Sequence, residues 1–151
     1  MVVLLNIQTY YIFYQAVESA IFEDRENGIE ILLQNAREKN KRLDITGMLL
    51  HIEGSFIQYI EGEEVSVKEL FKAIEKDSRL AAIKVIDSGN AKNRIFINWE
   101  MAYENFNINT INHIEKIDYP NIQEYLKSAS TIKLIKLMIQ RKAIFEGIDR
   151  T

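Results

Sequence analysis

The 151-residue chain has no cysteine, one proline, one tryptophan and two histidines. Without cysteine there is no disulfide, no thiolate metal site, no cysteine nucleophile and no cofactor held through a thiol. The lack also fits a reducing cytoplasm, which is the expected location. His51 and His113 stand isolated, so no metal site is expected. No uninterrupted apolar run approaches the ~18 residues that a membrane span needs. The apolar start MVVLLNIQTYYIFY lacks the basic flank and small-residue cleavage site of a signal peptide. With a formal net charge of only −3, no global field draws the chain to nucleic acid or to an anionic membrane, and neither is expected as a partner.

What is present suits a folded, soluble chain: 47% hydrophobic residues, enough for a real core, and 27% charged. TYYIFYQA, residues 9–16, is aromatic and β-branched and reads as a strand, with Ile12, Tyr14 and Ala16 on one face. The period then changes. Ile29, Leu32, Leu33 and Ala36 form the stripe of an amphipathic helix, with Asp24 as its N-cap and basic residues at its far end. Two strands follow at about 45–51 and 55–61, around a Glu-Gly turn. EEVSVKELFKAIEKDSR is a second amphipathic helix, its stripe formed by Val67, Leu70, Phe71 and Ile74. LAAIKVIDSG reads as a strand, and a last strand is expected around 97–103 with Trp99, Met101 and Tyr103 on one face.

The order βαββαββ implies an α+β, ferredoxin-like sheet with two helices on one face. The other face needs a cover. Residues 107–151, punctuated by Pro120, are expected to form one or two helices that pack there or mediate self-association. The expected division is therefore 1–106 for the sheet domain and 107–151 for a helical extension.

Within DITGMLLHIEGSFIQYIEGE, residues 44–63, one amide stands out. Gln58 alternates onto the same strand face as Phe56 and Ile60. A buried amide left unpaired costs about 1–3 kcal/mol, so a polar partner must be waiting for it. Glu61, Glu63 and Glu64 read as solvent-facing residues that cap the second helix, not as an acid–base pair. Lys133, Lys136, Arg141 and Lys142 read as the wet face of a helix.

The same stretch is similar to the Ile-Thr-Gly hairpin and Phe-x-Gln-x-Leu-Glu-Gly strand of the BLUF domains, blue-light sensors that use FAD. DSRL sits where that family has Asp-x-Arg-His, and RIFINWEM matches Arg-x-Phe-x-x-Trp-x-Met. Four motifs in register over about residues 10–106 make the resemblance specific. It implies that Gln58 hydrogen-bonds between a flavin and Tyr14, the two forming the photoactive pair. Asn40 takes the place of the family's flavin-binding asparagine, although by position alone it is a helix C-cap. Trp99 and Met101 match the pair on the final strand, and either could lie nearer the flavin. Asp77, Arg79 and Lys39 are implied for the ribityl or phosphate end. Leu32 and Ile74, on the inward stripes of the two helices, are the expected apolar walls.

Departures from the family pattern are Ala16 for a serine, Leu80 for the histidine, and a 17–24 loop about two residues longer. The resemblance implies a short photoreceptor without a fused output domain, not an enzyme. Light would drive electron and proton transfer from Tyr14, and Gln58 would rearrange its hydrogen bonds. Signalling would pass by contact to a downstream protein partner or within a homo-oligomer. Two other readings compete: a ferredoxin-like binding or oligomerisation module without functional flavin, and a flavin-dependent redox enzyme. The colour of the purified protein discriminates them.

Overall fold

The computed structural model describes residues 8–23, 28–97 and 99–147. Strand β1 (Thr9–Glu18) leads through a short helix α1 (Ala20–Glu23) to helix α2 (Gly28–Leu43). The hairpin β2 (Thr46–Ile52) and β3 (Ser55–Gly62), helix α3 (Glu64–Glu75), and strands β4 (Leu80–Ala91) and β5 (Ala102–Phe106) follow. Three helices end the described chain: α4 (Ile108–Glu115), α5 (Ile122–Ser128) and α6 (Thr131–Gly147). The five strands form one sheet in the order β4-β1-β3-β2-β5, antiparallel except for the β2–β5 pair. The α+β, ferredoxin-like expectation holds, with helices packed on both faces.

The turn of the hairpin explains its tightness. Glu53 and Gly54 both take positive φ, 47° and 82°, as a two-residue turn matched to strand twist requires. Glu53 is an unusual occupant there, and its carboxylate accepts a 2.6 Å hydrogen bond from the Ile108 amide at the start of α4. One strained turn thus anchors the C-terminal helices to the sheet. Gly47 is obligatory for a different reason: a Cβ there would lie 2.0 Å from the Tyr59 carbonyl oxygen on the paired strand.

Strand alternation divides the apolar residues into two cores. Ile12, Tyr14, Ala16, Leu49, Phe56 and Ile60 meet Leu33 of α2 and Val67, Leu70 and Phe71 of α3. On the opposite face Phe13, Met48, Leu50, Ile57 and Tyr59 meet Ile111, Ile122, Tyr125, Leu134 and Met138 of the last three helices. The first is called the cleft face below, the second the back face. Each large side chain so buried contributes about 1.5–3 kcal/mol. The tail therefore covers the sheet as expected, with one helix more than was read. Asn107 caps α4 by accepting from the Asn109 amide, a polar start that hides the helix in a run of Asn and Thr.

Several expectations are corrected. The last strand starts at Ala102, where pairing with β2 begins, and not near 97. Before it, the β4–β5 connection is held by side chains: Glu61 accepts from the Ile95 and Phe96 amides at 2.8 and 2.6 Å. Trp99, Met101 and Tyr103 consequently do not share a face. Trp99 packs with Phe96 in the back core, whereas Met101 and Tyr103 join the cleft-face core. Asn40 lies inside α2, not at its end; the left-handed residue that follows the helix is Asp44, φ 54°. Residues 17–23 are not a simple loop, because β1 runs to Glu18 and α1 follows. The Asp24 cap lies outside the described residues.

Three charged or titratable groups also differ. Glu61 is fully buried, while Glu63 sits at the N-cap position of α3 without a side-chain cap bond. Arg141 is not on a wet face: it pairs with Glu104 of β5 and lies over the Phe106 ring. His51 is not isolated, since it bonds Glu18 and Tyr103 and stacks on Phe56. Among the described residues no group of His, Asp and Glu could hold a metal ion, and no helix is long and apolar enough to cross a membrane.

Candidate functional site

Between α2 and α3, over the cleft face of β1, β2 and β3, lies an open cleft of about 710 Å³ including its mouth. Its construction follows from three periodicities. Leu32, Ala36 and Asn40 recur at four-residue steps along α2, as do Asn35 and Lys39, so one helix edge faces in. Leu70, Ile74 and Ala73, Asp77 do the same along α3 and its exit. Phe56 and Gln58 alternate on β3, with Tyr14 and Leu49 from the strands on either side.

The floor is polar. Tyr14 and Gln58 are direct partners across the β1–β3 ladder, and the Tyr14 hydroxyl donates to Gln58 Oε1. Gln58 Nε2 donates to the Met101 sulfur at 3.2 Å. Both residues are buried, at 2% and 7% exposure. Burial, and then the charge of Asp77, pushes the Tyr14 phenol well above its ordinary value, so it holds its proton. Gln58 is left with an amide of which one donor meets only a thioether, a weak acceptor. That amide has capacity to spare.

The mouth is charged. Arg79 binds Asp77 through two nitrogens, at 2.6–3.2 Å, and the two groups remain about one-fifth exposed. Burial alone would raise the Asp77 carboxyl, but hydrogen bonds from the Arg79 side chain and amide, with the charges of Arg79 and Lys39, hold it below its usual range. Leu80 lines the same rim, where the family pattern has histidine.

Eight of the ten residues singled out from sequence line this cleft: Tyr14, Leu32, Lys39, Asn40, Gln58, Ile74, Asp77 and Arg79. Met101 reaches it through Gln58. Trp99 is on the other side of the sheet, its carbonyl accepting from the Gly47 amide at 3.0 Å. Sequence reading missed Asn35, Ala36, Leu49, Phe56, Leu70 and Ala73, all but Leu49 findable one period away from a site residue that was named. It also missed Arg37, whose Nε donates to the Met101 carbonyl at 3.1 Å. Asn40 does two things at once: it lines the cleft and donates from Nδ2 to the Glu100 carbonyl at 2.6 Å.

Comparison with known proteins decides the family. A sequence model described as "BLUF: Sensors of blue-light using FAD" matches residues 9–102. The chain belongs to the BLUF family. A similar curated protein is the photoactivated adenylate cyclase subunit beta-like protein FB of Euglena gracilis, 26% identical over 68 residues, which are 45% of this chain and 8% of that protein. The match therefore covers less than a tenth of that relative's length. Among solved structures, the dark state of BlrB, a BLUF protein, is 25% identical, with a TM-score of 0.69 over 89% of this chain and 95% of that one. The BlsA ground state superposes with a TM-score of 0.75 over 87% of each chain at 23% identity, which supports the fold alone. As a BLUF protein the chain is a blue-light sensor whose cofactor is FAD.

Proposed function

We propose that the cleft between α2 and α3 is where this BLUF chain holds FAD, with Tyr14 and Gln58 as its photoactive pair. The observation that carries this is the Tyr14–Gln58 bond on the cleft floor, two buried polar groups facing a space walled by Leu32, Leu70 and Ile74. Such a cleft suits a flat, largely apolar ring with polar edges. Gln58 and Asn40 are the edge-binding amides, and Lys39 with Arg79 suits the anionic end of the ligand.

Bound there and excited by blue light, FAD supplies an electron acceptor for Tyr14. The Tyr14 proton has one direct route, along the hydrogen bond it already makes to Gln58 Oε1. With its oxygen protonated, the Gln58 amide would pass an Nε2 proton to the reduced cofactor to reach its neutral tautomer, and losing that proton would weaken the donor that holds the Met101 sulfur. Leu49, Phe56 and the two helices exclude water from the pair, which keeps the proton on this path. The cycle ends where it began, with no net reaction, so the chain acts as a sensor and not as an enzyme.

Output then passes by contact, from Gln58 through Met101 to β5 and on to the helices of the back face, reaching a downstream protein partner or a second copy of the chain. In this reading residues 1–106 are the flavin-binding unit, 107–151 the cap or oligomerisation element, and the setting is the cytoplasm. The test is spectroscopic. The purified protein should be yellow and show a small, reversible red shift under blue light. A colourless protein that rejects added FAD would favour a binding module without flavin, and steady consumption of a reductant would favour a redox enzyme.

A further inference from the structure

We infer that Glu61 is a positioning residue that fixes the β4–β5 connection, so that the state of Gln58 is set against a held Met101. The inference rests on the proposed role of Gln58. Glu61 is three residues beyond Gln58 on β3, and the two side chains leave opposite faces of that strand. Its carboxylate is fully buried, and among the described residues it forms no salt bridge. It accepts instead from the Ile95 amide at 2.8 Å, the Phe96 amide at 2.6 Å and the Thr46 hydroxyl at 3.0 Å. Arg94 bonds Thr46 at 3.3 Å, the Asp44 carbonyl at 2.8 Å and the Asp44 carboxylate at 3.4 Å, and from there its charge favours the ionised form of Glu61. A carboxylate buried without a direct ion pair is costly, so three donors converging on it mark a built site.

What the carboxylate holds is one end of a short span. Phe96 is pinned by its amide, and its ring sits in the back core 5.6 Å from Tyr59 and 5.9 Å from Trp99. Five residues on, Met101 emerges on the cleft face, where its sulfur meets Gln58. The same strand therefore grips the connection twice, by Glu61 on the back face and by Gln58 on the cleft face. When Gln58 lets go, the Met101 sulfur is freed, while the Met101 carbonyl stays on Arg37 and the Phe96 amide stays on Glu61. Return to the dark arrangement is a search by a tethered side chain and not by a loose loop, and the tether shortens that search.

The test compares wild type with Glu61→Gln in the full FAD-bound protein. Glutamine keeps the shape but replaces one acceptor oxygen by an NH2 that faces a backbone N–H. Trp99 is the only tryptophan of the chain, so its emission reports on the connection in the dark, without any photocycle. The expected result is red-shifted Trp99 emission, an unchanged dark flavin spectrum and a photoproduct that recovers about fivefold more slowly, the effect of about one lost hydrogen bond. Ile132→Val, at an exposed position on α6, should move neither readout. Thr46→Val, which removes the hydroxyl that donates to Glu61 and accepts from Arg94, should shift both in the same direction by less, and it decides the matter if Glu61→Gln does not fold. Unchanged emission and unchanged recovery overturn the proposal. So does displaced emission with wild-type recovery, which makes Glu61 a structural residue only. If wild type itself forms no red-shifted product, the photoactive reading of Gln58 fails, and with it the part of this proposal that depends on light.

Discussion

Replacing Gln58 by leucine tests the central pair through stability as well as light. Leucine fills a similar volume, so little packing is lost, but the change strands the Tyr14 hydroxyl. That hydroxyl belongs to a residue only 2% exposed, and its hydrogen-bond partner is Gln58 Oε1. Leaving a buried donor unpaired costs about 1–3 kcal/mol, so ~2 kcal/mol is expected for Gln58→Leu. Tyr14→Phe should cost ~1 kcal/mol, because Gln58 keeps its bond to the Met101 sulfur while its oxygen goes unmatched. The double variant removes both ends of the bond and should also cost only about 1 kcal/mol, giving a coupling of about 2 kcal/mol. Urea unfolding of the four proteins at one saturating FAD concentration L measures the cycle once each is corrected for its own FAD affinity, since bound FAD adds RT ln(1 + L/Kd) to stability. The leucine variant should stay yellow and show no reversible red shift. Effects that add to within about 0.5 kcal/mol would refute the pairing, and a full red shift in Gln58→Leu would refute its role in light.

Tyr14→Phe alone should bind FAD with a near-normal dark colour and yield no red-shifted photoproduct by difference spectroscopy. Ending the chain after Phe106 should uncover Phe13, Met48, Leu50, Ile57 and Tyr59 on the back face. At about 1.5–3 kcal/mol per side chain that loss rivals a whole domain's stability, so aggregation by light scattering is expected, and a soluble monomer would contradict it. Asp77, held below its usual value, favours the folded state above its unfolded pKa of about 3.9 and loses that contribution as pH falls through its lower folded value. Asp77→Asn should therefore show a shallower fall in melting temperature than wild type as the pH drops below about 4, the ordinary unfolded value for Asp.

Local period made much of this molecule legible. Tyr14 and Gln58 could be assigned to one face because side chains alternate along strands, and Leu32 and Ile74 to the inner helix edges because helices repeat near 3.6. What escaped was set by contacts distant in sequence. Glu61 looked like a solvent-facing cap because the amides it receives lie 34 and 35 residues later. Arg141 looked wet because Glu104, which buries it, is 37 residues away. Met101 and Trp99 share a spacing of two, which suggests one strand face. Strand pairing begins only at Ala102, and the connection before it follows side-chain hydrogen bonds that no periodicity encodes. Helix α4 was hidden by its polar composition, for its stability comes from Ile108 and Ile111 packed on the sheet and not from propensity.

The ladder between β1 and β3 sets Tyr14 opposite Gln58, with Tyr11 opposite Glu61 three rungs along. This has a consequence for which sequence changes the protein can survive. Deleting or inserting one residue within either strand turns every later side chain to the other side of the sheet. Such an indel would move the phenol or the amide out of the cleft while leaving composition and hydrophobicity almost untouched. Length variation should therefore gather in the β1–α2 and β4–β5 connections, and these two strands should tolerate substitution far better than a change in length.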